Sequence, residues 1–357
     1  MPVCAHTPLS RRALGALALG ALAGCRSESM PSGRETGMPV VVVYVTLDEP
    51  YARPVIQAFT RATGVAVRPV YDTEANKSRG LAERLRAERS RPRADVFWSS
   101  EVLQTVRLSR EGLFRQYVPS TATGIPARYR DPEKNWTGFA ARFRVLAVHQ
   151  PLKDQPPKGL LELAEPRWRG QTAMANPLFG TTTTEAAALF QRLGKERAEE
   201  YYRRRQANET RIVEGNSVSA EQAARGEVQV AQTDTDDAYI RQGEGKAGQS
   251  AKLSVVFPDQ EPGGLGALLI PNTAAMVKDA PHPGPAMRFL DFLLQPETEL
   301  LLAGLPARQL PLHPGLESRL PAAVRPLAKI RPMQVEYARL ADQFDELDRF
   351  LREVFLQ

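Results

Sequence analysis

Acidic and hydroxyl residues gather at a few short places in this 357-residue chain, each just after an apolar run. Thr46, Asp48 and Glu49 follow Val40 to Val45; Asp72, Thr73 and Glu74, with Asn76 and Lys77, follow Val65 to Val70. Ser99, Ser100 and Glu101 follow Ala94 to Trp98, and Asp234, Thr235, Asp236 and Asp237 follow a run ending near Gln232. Oxygen donors of this kind suit a hard cation, and equally a cationic organic solute. Any one group could also be a helix N-cap, because Asp, Ser and Thr satisfy unpaired backbone N–H groups. Their convergence at strand ends is what points to a binding site. Thr181 to Thr184, after Gly180 and ahead of a helix, can offer hydroxyls and N–H groups to an anion at the positive helix end, and capping accounts for one of the four. Arg142 and Arg144, on either side of Phe143, are suited to an anion or to a solvated strand. Trp98 could line a pocket, although tryptophan at such a place is more often core. Asn216 is included among the candidate ligand-binding residues, with Thr181 and Thr182 the favoured threonines.

Catalytic signatures are missing. There is no G-x-S-x-G elbow, P-loop or GxGxxG, and the histidines (His6, His149, His282, His313) have no ligand spacing. An enzyme reading would have to use paired carboxylates such as Asp236 and Glu74 in an extracytoplasmic hydrolase. No catalytic cofactor is expected. Tyr201-Tyr202 lies in an Arg/Glu-rich helix, where one ring is expected to pack and the other to be exposed. Arg203 to Arg205 are balanced by Glu196, Glu199 and Glu200, which reads as a solvated helix face. The net charge of +6 falls to about +4 without Arg11 and Arg12 and is evenly spread, which argues against nucleic acid.

The elements that must position these residues alternate. Strands are expected at Val40 to Val45, Val65 to Val70, Ala94 to Trp98, Trp136 to His149, Thr172 to Ala175, Val228 to Ala231, Leu253 to Phe257 and Leu265 to Ile270. Helices are expected from Pro54, closed by Gly64, and at Leu81 to Arg89, Glu101 to Leu108, Thr184 to Leu193, Glu196 to Gln206 and Ala220 to Arg225. Further helices are expected at Ala286 to Leu294, Glu297 to Leu302 and, in one long run, Val335 to Phe355. Pro306 to Pro332 reads as a non-regular belt. Repeated strand–helix units mean an α/β class, and ligands of open α/β sheets sit at the carboxyl ends of the strands.

The first residues read as an address. Ala13 to Gly24 is an uncharged apolar run behind Ser10-Arg11-Arg12, the pattern of an export signal, and is shorter than the ~20 residues a bilayer needs. It ends in Leu22-Ala23-Gly24-Cys25, a full match to the bacterial lipobox, which predicts cleavage after residue 24 and a diacylglycerol on Cys25. Arg26 to Gly37 reads as a flexible tether. The two cysteines, Cys4 and Cys25, both precede the folded body, so the body has no disulfide, thiolate metal site or cysteine nucleophile.

The body resembles the periplasmic solute-binding proteins of bacterial ABC importers, in particular the ferric-ion-binding branch, over residues 40 to 305. The stretches that carry the resemblance include Ala58-Phe59-Thr60-Arg61-Ala62-Thr63-Gly64-Val65, Ala94 to Trp98, Pro166-Arg167-Trp168-Arg169-Gly170, Val256-Phe257-Pro258-Asp259-Gln260 and Ala286 to Leu294. The resemblance implies a type II-like fold of two α/β lobes, mixed sheets flanked by helices, with a hinge between lobes. Lobe 1 would be 38–141 plus 253–305 and lobe 2 142–252 plus 306–357, the chain crossing near Arg142 and Leu253. It implies a solute captured in the interlobe cleft and delivered to a permease and ATPase; the protein is expected to be a monomer, held by the lipid on Cys25 in the periplasm or at the cell surface. Relatives of this branch commonly hold iron with a tandem tyrosine after Asn-Thr, where this chain has Asp234-Thr235-Asp236-Asp237, and often with a histidine where it has Thr46 to Glu49. Asp72 and Glu74 are counterparts of the acidic ligand, Arg142 of a hinge arginine that contacts a synergistic anion, and Gly180-Thr181-Thr182 of the anion-binding helix start. The metal ligands implied here are Glu74, Asp236 and Asp237, for Fe³⁺ with a synergistic anion or another cation; a polyamine or a phosphorylated or phosphonate solute is the alternative.

Overall fold

Valine fills β1 (Val40–Val45), and its β-branched side chains suit a strand hydrogen-bonded on both edges and covered on both faces. The computed structural model describes residues 38–72, 79–152, 155–243 and 253–356. The export signal, lipobox, Cys25 and tether lie outside the described residues, as do Thr73 and Glu74.

From β1 the chain enters α1 (Glu49–Thr63), which begins earlier than Pro54: Pro50 occupies its first turn, where a missing N–H costs nothing, while Pro54 lies inside the helix. Gly64, at φ 69°, ends it in the left-handed conformation that glycine adopts without a Cβ penalty. Then come β2 (Ala66–Tyr71), α2 (Arg79–Ala87), β3 (Val96–Ser99), α3 (Leu103–Arg110) and the short β4 (Phe114–Arg115). β5 (Trp136–His149) is followed by β6 (Thr172–Ala175), α4 (Gly180–Leu193), α5 (Lys195–Ala207), β7 (Arg211–Val213), α6 (Asn216–Arg225), β8 (Val230–Asp234) and α7 (Thr235–Gly243). β9 (Leu253–Val256), β10 (Leu269–Val277), α8 (Pro283–Leu293), α9 (Pro296–Ala303) and α10 (Phe344–Phe355) complete the chain.

The strands run in the order β2-β1-β3-β10-β5-β8-β6-β7, with β4 on β10 and β9 on β5. β1, β2 and β3 are parallel to one another, as are β6, β7 and β8, whereas β5 and β10 run against their neighbours. β5 joins the two halves in a single strand. Its residues Trp136 to Phe143 pair with β10, and Arg144 to His149 pair with β8 and β9. This is the mixed α/β two-lobe architecture expected. β9 pairs with the second half of β5.

β10 starts later and runs further than Leu265 to Ile270, because its centre, Pro271-Asn272-Thr273, looks unlike a buried strand. The proline falls at a register shift, where a missing ladder N–H is tolerated, and the Asn272 amide is spent on the Ala140 carbonyl and Gln309 Oε1. The C-terminal helix is shorter than Val335 to Phe355. Residues 337–342 make tertiary contacts instead: Tyr337 packs on Tyr129 and Arg110 donates to the Ala338 carbonyl. α10 lies against α4 and α5. That cover buries both members of the tandem tyrosine, correcting the expected exposed ring: Tyr201 and Tyr202 are 4% and 0% exposed, and Tyr202 meets Phe355 edge-on. No helix among the described residues is long and apolar enough to cross a membrane.

Candidate functional site

The carboxyl ends of β1, β3, β6, β7 and β8 open onto one pocket, and the helices that follow β1, β6, β7 and β8 start at its wall. Thr46, Leu47, Asp48 and Ser100 line it from the first half of the sheet, and Arg142 from the middle of β5. The second half supplies Ala175, Asn176 and Phe179 to Thr181 before and within α4, Glu214 to Ser217 at α6, and Asp234, Asp236 and Asp237 at α7. Gly180, the first residue of α4, lines the pocket at φ 58°, a left-handed conformation that glycine adopts without a Cβ penalty.

The lining is strongly acidic: Asp48, Glu214, Asp234, Asp236 and Asp237 face one guanidinium, that of Arg142. Asp234, Asp236 and Asp237 each bring a carboxylate oxygen within 4.8 Å of the others. Such crowding of like charge is tolerable only with countercharge, which two buried arginines of β5 provide. Arg142 Nε lies 3.1 Å from Asp234 Oδ2 and 3.5 Å from Asp236 Oδ2, and Nη1 donates to the Ser100 carbonyl at 2.6 Å. Arg144 lies beneath, wholly buried, and pairs with Asp234 Oδ1 at 2.7 Å and Glu185 Oε2 at 3.1 Å. Burial alone would raise the Asp234 carboxyl, but Arg144 and Arg142 outweigh it and hold the group below the ordinary carboxylate range.

Ten of the residues singled out in the sequence therefore meet here: Thr46, Asp48, Ser100, Arg142, Gly180, Thr181, Asn216, Asp234, Asp236 and Asp237. Others are used elsewhere. Trp98 is core, packed on Phe139 and Phe289. Ser99 is buried and donates to the Glu101 carbonyl. Glu101 is 1% exposed, caps the Leu103 and Gln104 N–H groups and accepts the Thr184 hydroxyl at 2.8 Å; burial pushes its carboxyl up, partly offset by these bonds. Thr182 is buried against Arg144, Glu49 is at the surface paired with Arg53, and Asp72 accepts the Leu81 N–H. The four threonines belong to the first turn of α4 rather than preceding it, and only Thr181 lines the pocket. Of the expected metal ligands, Asp236 and Asp237 are adjacent to Asp234, and Glu74 lies outside the described residues.

Sequence reasoning missed Glu214, Ser217 and the roles of Arg144 and Glu185. Glu214-Gly215 after β7 carries the same strand-end signal as the other sites, but β7, with its two leading residues exposed, does not read as a strand. Glu185 has no signal, since it sits in a helix pattern and its partner is 41 residues away.

Residues 40–303 match the family of bacterial extracellular solute-binding proteins. The major ferric iron-binding protein of Neisseria meningitidis is 26% identical over 314 residues, 85% of this chain and 89% of that protein. Iron uptake protein A1 of Synechocystis is 26% identical over 266 residues, 73% and 71% of the two chains. Among solved structures, iron-bound HitA from Pseudomonas aeruginosa superposes with a TM-score of 0.77 at 24% identity, over 88% of this chain and 99% of that one. A Trichodesmium protein in complex with iron and citrate gives 0.75 at 20%, over 89% and 100%. At these identities the structures establish the fold.

Proposed function

The chain belongs to the bacterial extracellular solute-binding proteins, and from that premise we propose that it captures ferric iron, with a companion anion, for an ABC importer. The observation that carries the cargo is the acidic wall: three carboxylates with oxygens within 4.8 Å of one another, in a pocket lined by five acids and one arginine. Carboxylate oxygens are hard donors fit for Fe³⁺, and occupation by a trivalent cation removes their mutual repulsion. Among the described residues no tyrosine lines the pocket, so the donors differ from phenolates. Arg142 and the starts of α4 and α6 suit the anion that would complete the charge balance. The named relatives bind or take up iron, which supports the same reading. As members of a solute-binding family these proteins carry solutes rather than transform them, and the carboxylate-hydrolase alternative is set aside.

The lobes are the two halves of the sheet, with β5 and the segment 257–268 as hinge. The protein works as a monomer that hands its cargo to a permease coupled to an ATPase, at the periplasmic or outer face of a membrane, held there by a diacylglycerol on Cys25. Replacing Cys25 by Ser should abolish lipid labelling and release the protein from membranes; persistence in the membrane fraction contradicts the anchor. The cargo is tested by thermal-shift screening with Fe³⁺ and citrate or phosphate, other metals, polyamines and phosphorylated sugars. Stabilisation specific to Fe³⁺ with an anion is expected, at ~2.7 kcal/mol when ligand is one hundred times its dissociation constant. A shift with sugars or polyamines alone contradicts it.

A further inference from the structure

One residue in the middle of β5 does not fit the strand. Ala140 is fully buried and sits at φ 35°, a backbone conformation that is costly for a residue with a Cβ. It has no partner in β10: Ala141 faces Pro271, Phe139 faces Asn272, and the register shifts between them. Ala140 is therefore the extra residue of a β-bulge, whose N–H and C=O groups the ladder does not use and the core cannot leave unpaired. Two side chains take them. Glu299 Oε1 of α9 accepts the Ala140 N–H at 2.6 Å, and the Asn272 amide of β10 donates to the Ala140 carbonyl. Glu299, 0% exposed, is itself fixed: Oε1 also accepts the Leu312 N–H at 2.8 Å, and Oε2 accepts the His313 N–H at 3.0 Å. Ala141 and Leu310 exchange backbone bonds of 2.7 Å in both directions. The bulge is thus clamped by α9 and residues 310–313, none of which lines the pocket.

Just past the bulge, Arg142 and Arg144 reach the same carboxylate, that of Asp234, while Phe143 between them packs edge-on against Phe257. Side chains alternate along a strand with a period of two, so changing the count by one residue turns every later side chain to the other face. Without the extra residue Phe143 and Val145 would take the places of the two arginines. We propose that Glu299 is a positioning residue for the cargo site: by holding the strained Ala140 bulge it sets the face on which β5 presents Arg142 and Arg144 to the acidic wall. This rests on the pocket being the cargo site proposed above. A relaxed bulge would withdraw Arg142 from the companion anion and leave Asp234 and Asp236 without a fixed countercharge, and both changes weaken the loaded complex.

The test is rescue. Ferric affinity is measured by chelator competition, with citrate present, in wild type, Glu299→Ala and Glu299→Ala combined with Ala140→Gly, glycine holding the left-handed backbone without a Cβ penalty. Glu299→Ala should bind ferric ion about tenfold more weakly or worse, and the double variant should recover to within about threefold of wild type. The melting temperature of the double variant should stay low, because the Leu312 and His313 N–H groups remain unpaired. A folded Glu299→Ala with wild-type affinity, or a loss that Ala140→Gly leaves untouched, overturns the proposal. Should Glu299→Ala not fold, Asn272→Ala frees the other end of the bulge; its affinity should fall several-fold and return with Ala140→Gly, and an unchanged affinity overturns the proposal. A wild type that takes no ferric ion sinks the cargo reading instead. The Arg142 Nε–H signal in NMR of the ligand-free proteins, assigned as the one lost in Arg142→Lys, then decides on Glu299. A signal displaced in Glu299→Ala and restored by Ala140→Gly supports the positioning role, and one unchanged position in all three proteins overturns it.

Discussion

The two walls of the pocket are built differently. The wall from the first half of the sheet offers Thr46, Leu47, Asp48 and Ser100, mostly neutral groups bonded to one another: Thr46 Oγ1 accepts the Ser100 N–H at 2.7 Å. The wall from the second half carries Glu214, Asp234, Asp236 and Asp237 and the starts of α4, α6 and α7, over the buried Arg144–Glu185 pair. Charge that must be held in place needs a buried foundation, and among the described residues the second wall has one in Arg144 and Glu185. Under the function proposed above, this difference would divide the labour, with the second wall selecting the cargo and the first closing over it. A side-chain bond away from β5 already spans the halves: Thr184 Oγ1 of α4 donates to Glu101 Oε2 ahead of α3.

The sharpest way to break this contrast is to strike the foundation. Arg144→Met leaves Asp234 and Glu185 buried without their shared cation, a loss expected to cost about 3–5 kcal/mol of stability by chemical denaturation. A cost below about 1 kcal/mol would mean the second wall does not rest on that pair. Next in size is the cargo face: Asp236→Asn with Asp237→Asn should weaken ferric binding about 100-fold, close to 2.7 kcal/mol by competition with a chelator. The same substitution should leave apo stability equal or higher, because it removes repulsion. Asp48→Asn on the opposite wall should cost less than tenfold in the same assay; parity between the two would erase the contrast.

A smaller effect is expected at the clasp. Thr184→Val removes one neutral donor to a buried carboxylate, about 1–1.5 kcal/mol, or roughly a tenfold loss of affinity. Small-angle scattering should then show a larger radius of gyration at equal cargo than wild type. An unchanged radius and affinity would place the closing force elsewhere. The smallest effect concerns His313, away from both walls. Its Nδ1 lies 2.6 Å from Glu299 Oε2 and its Nε2 2.8 Å from the Thr121 carbonyl, so both nitrogens face acceptors, which favours the protonated ring. Burial lowers its pKa, but Glu299, Thr121 and the more distant Glu297 together raise it above the ordinary histidine value. The native pKa being raised, the contribution is complete below the unfolded value and is lost as pH rises through the native one. Wild type should therefore lose about 1–2 °C more than His313→Gln on going from pH 6 to 9, read by differential scanning calorimetry; parallel curves would show no linkage.

Much of this architecture is legible in the sequence, because parallel strands buried on both faces announce themselves as apolar runs and polar residues at their ends mark the pocket. Val40 to Val45 and Trp136 to His149 fall where the pattern places them. What escapes the pattern is tertiary. β10 hides behind Pro271 and Asn272, and the side-chain amide N–H groups of Asn272 go to Ala140 and Gln309 far along the chain. Glu101 and Thr182 have the right chemistry at the right strand ends but are consumed by capping and by Arg144, and no local signal separates a carboxylate that caps from one that faces a ligand. Asp234 is the harder case, since it stands at the pocket and yet already accepts four hydrogen bonds, three on Oδ2 and one on Oδ1.

The central claim, that the acidic second wall holds ferric iron with a companion anion, is tested most directly by native mass spectrometry of protein purified without metal stripping. The account predicts one ferric ion and one small oxyanion per chain in wild type, and an ion-free chain for the Asp236→Asn, Asp237→Asn double variant. A wild-type chain carrying an organic solute and no metal, with the same solute kept by the double variant, would contradict it.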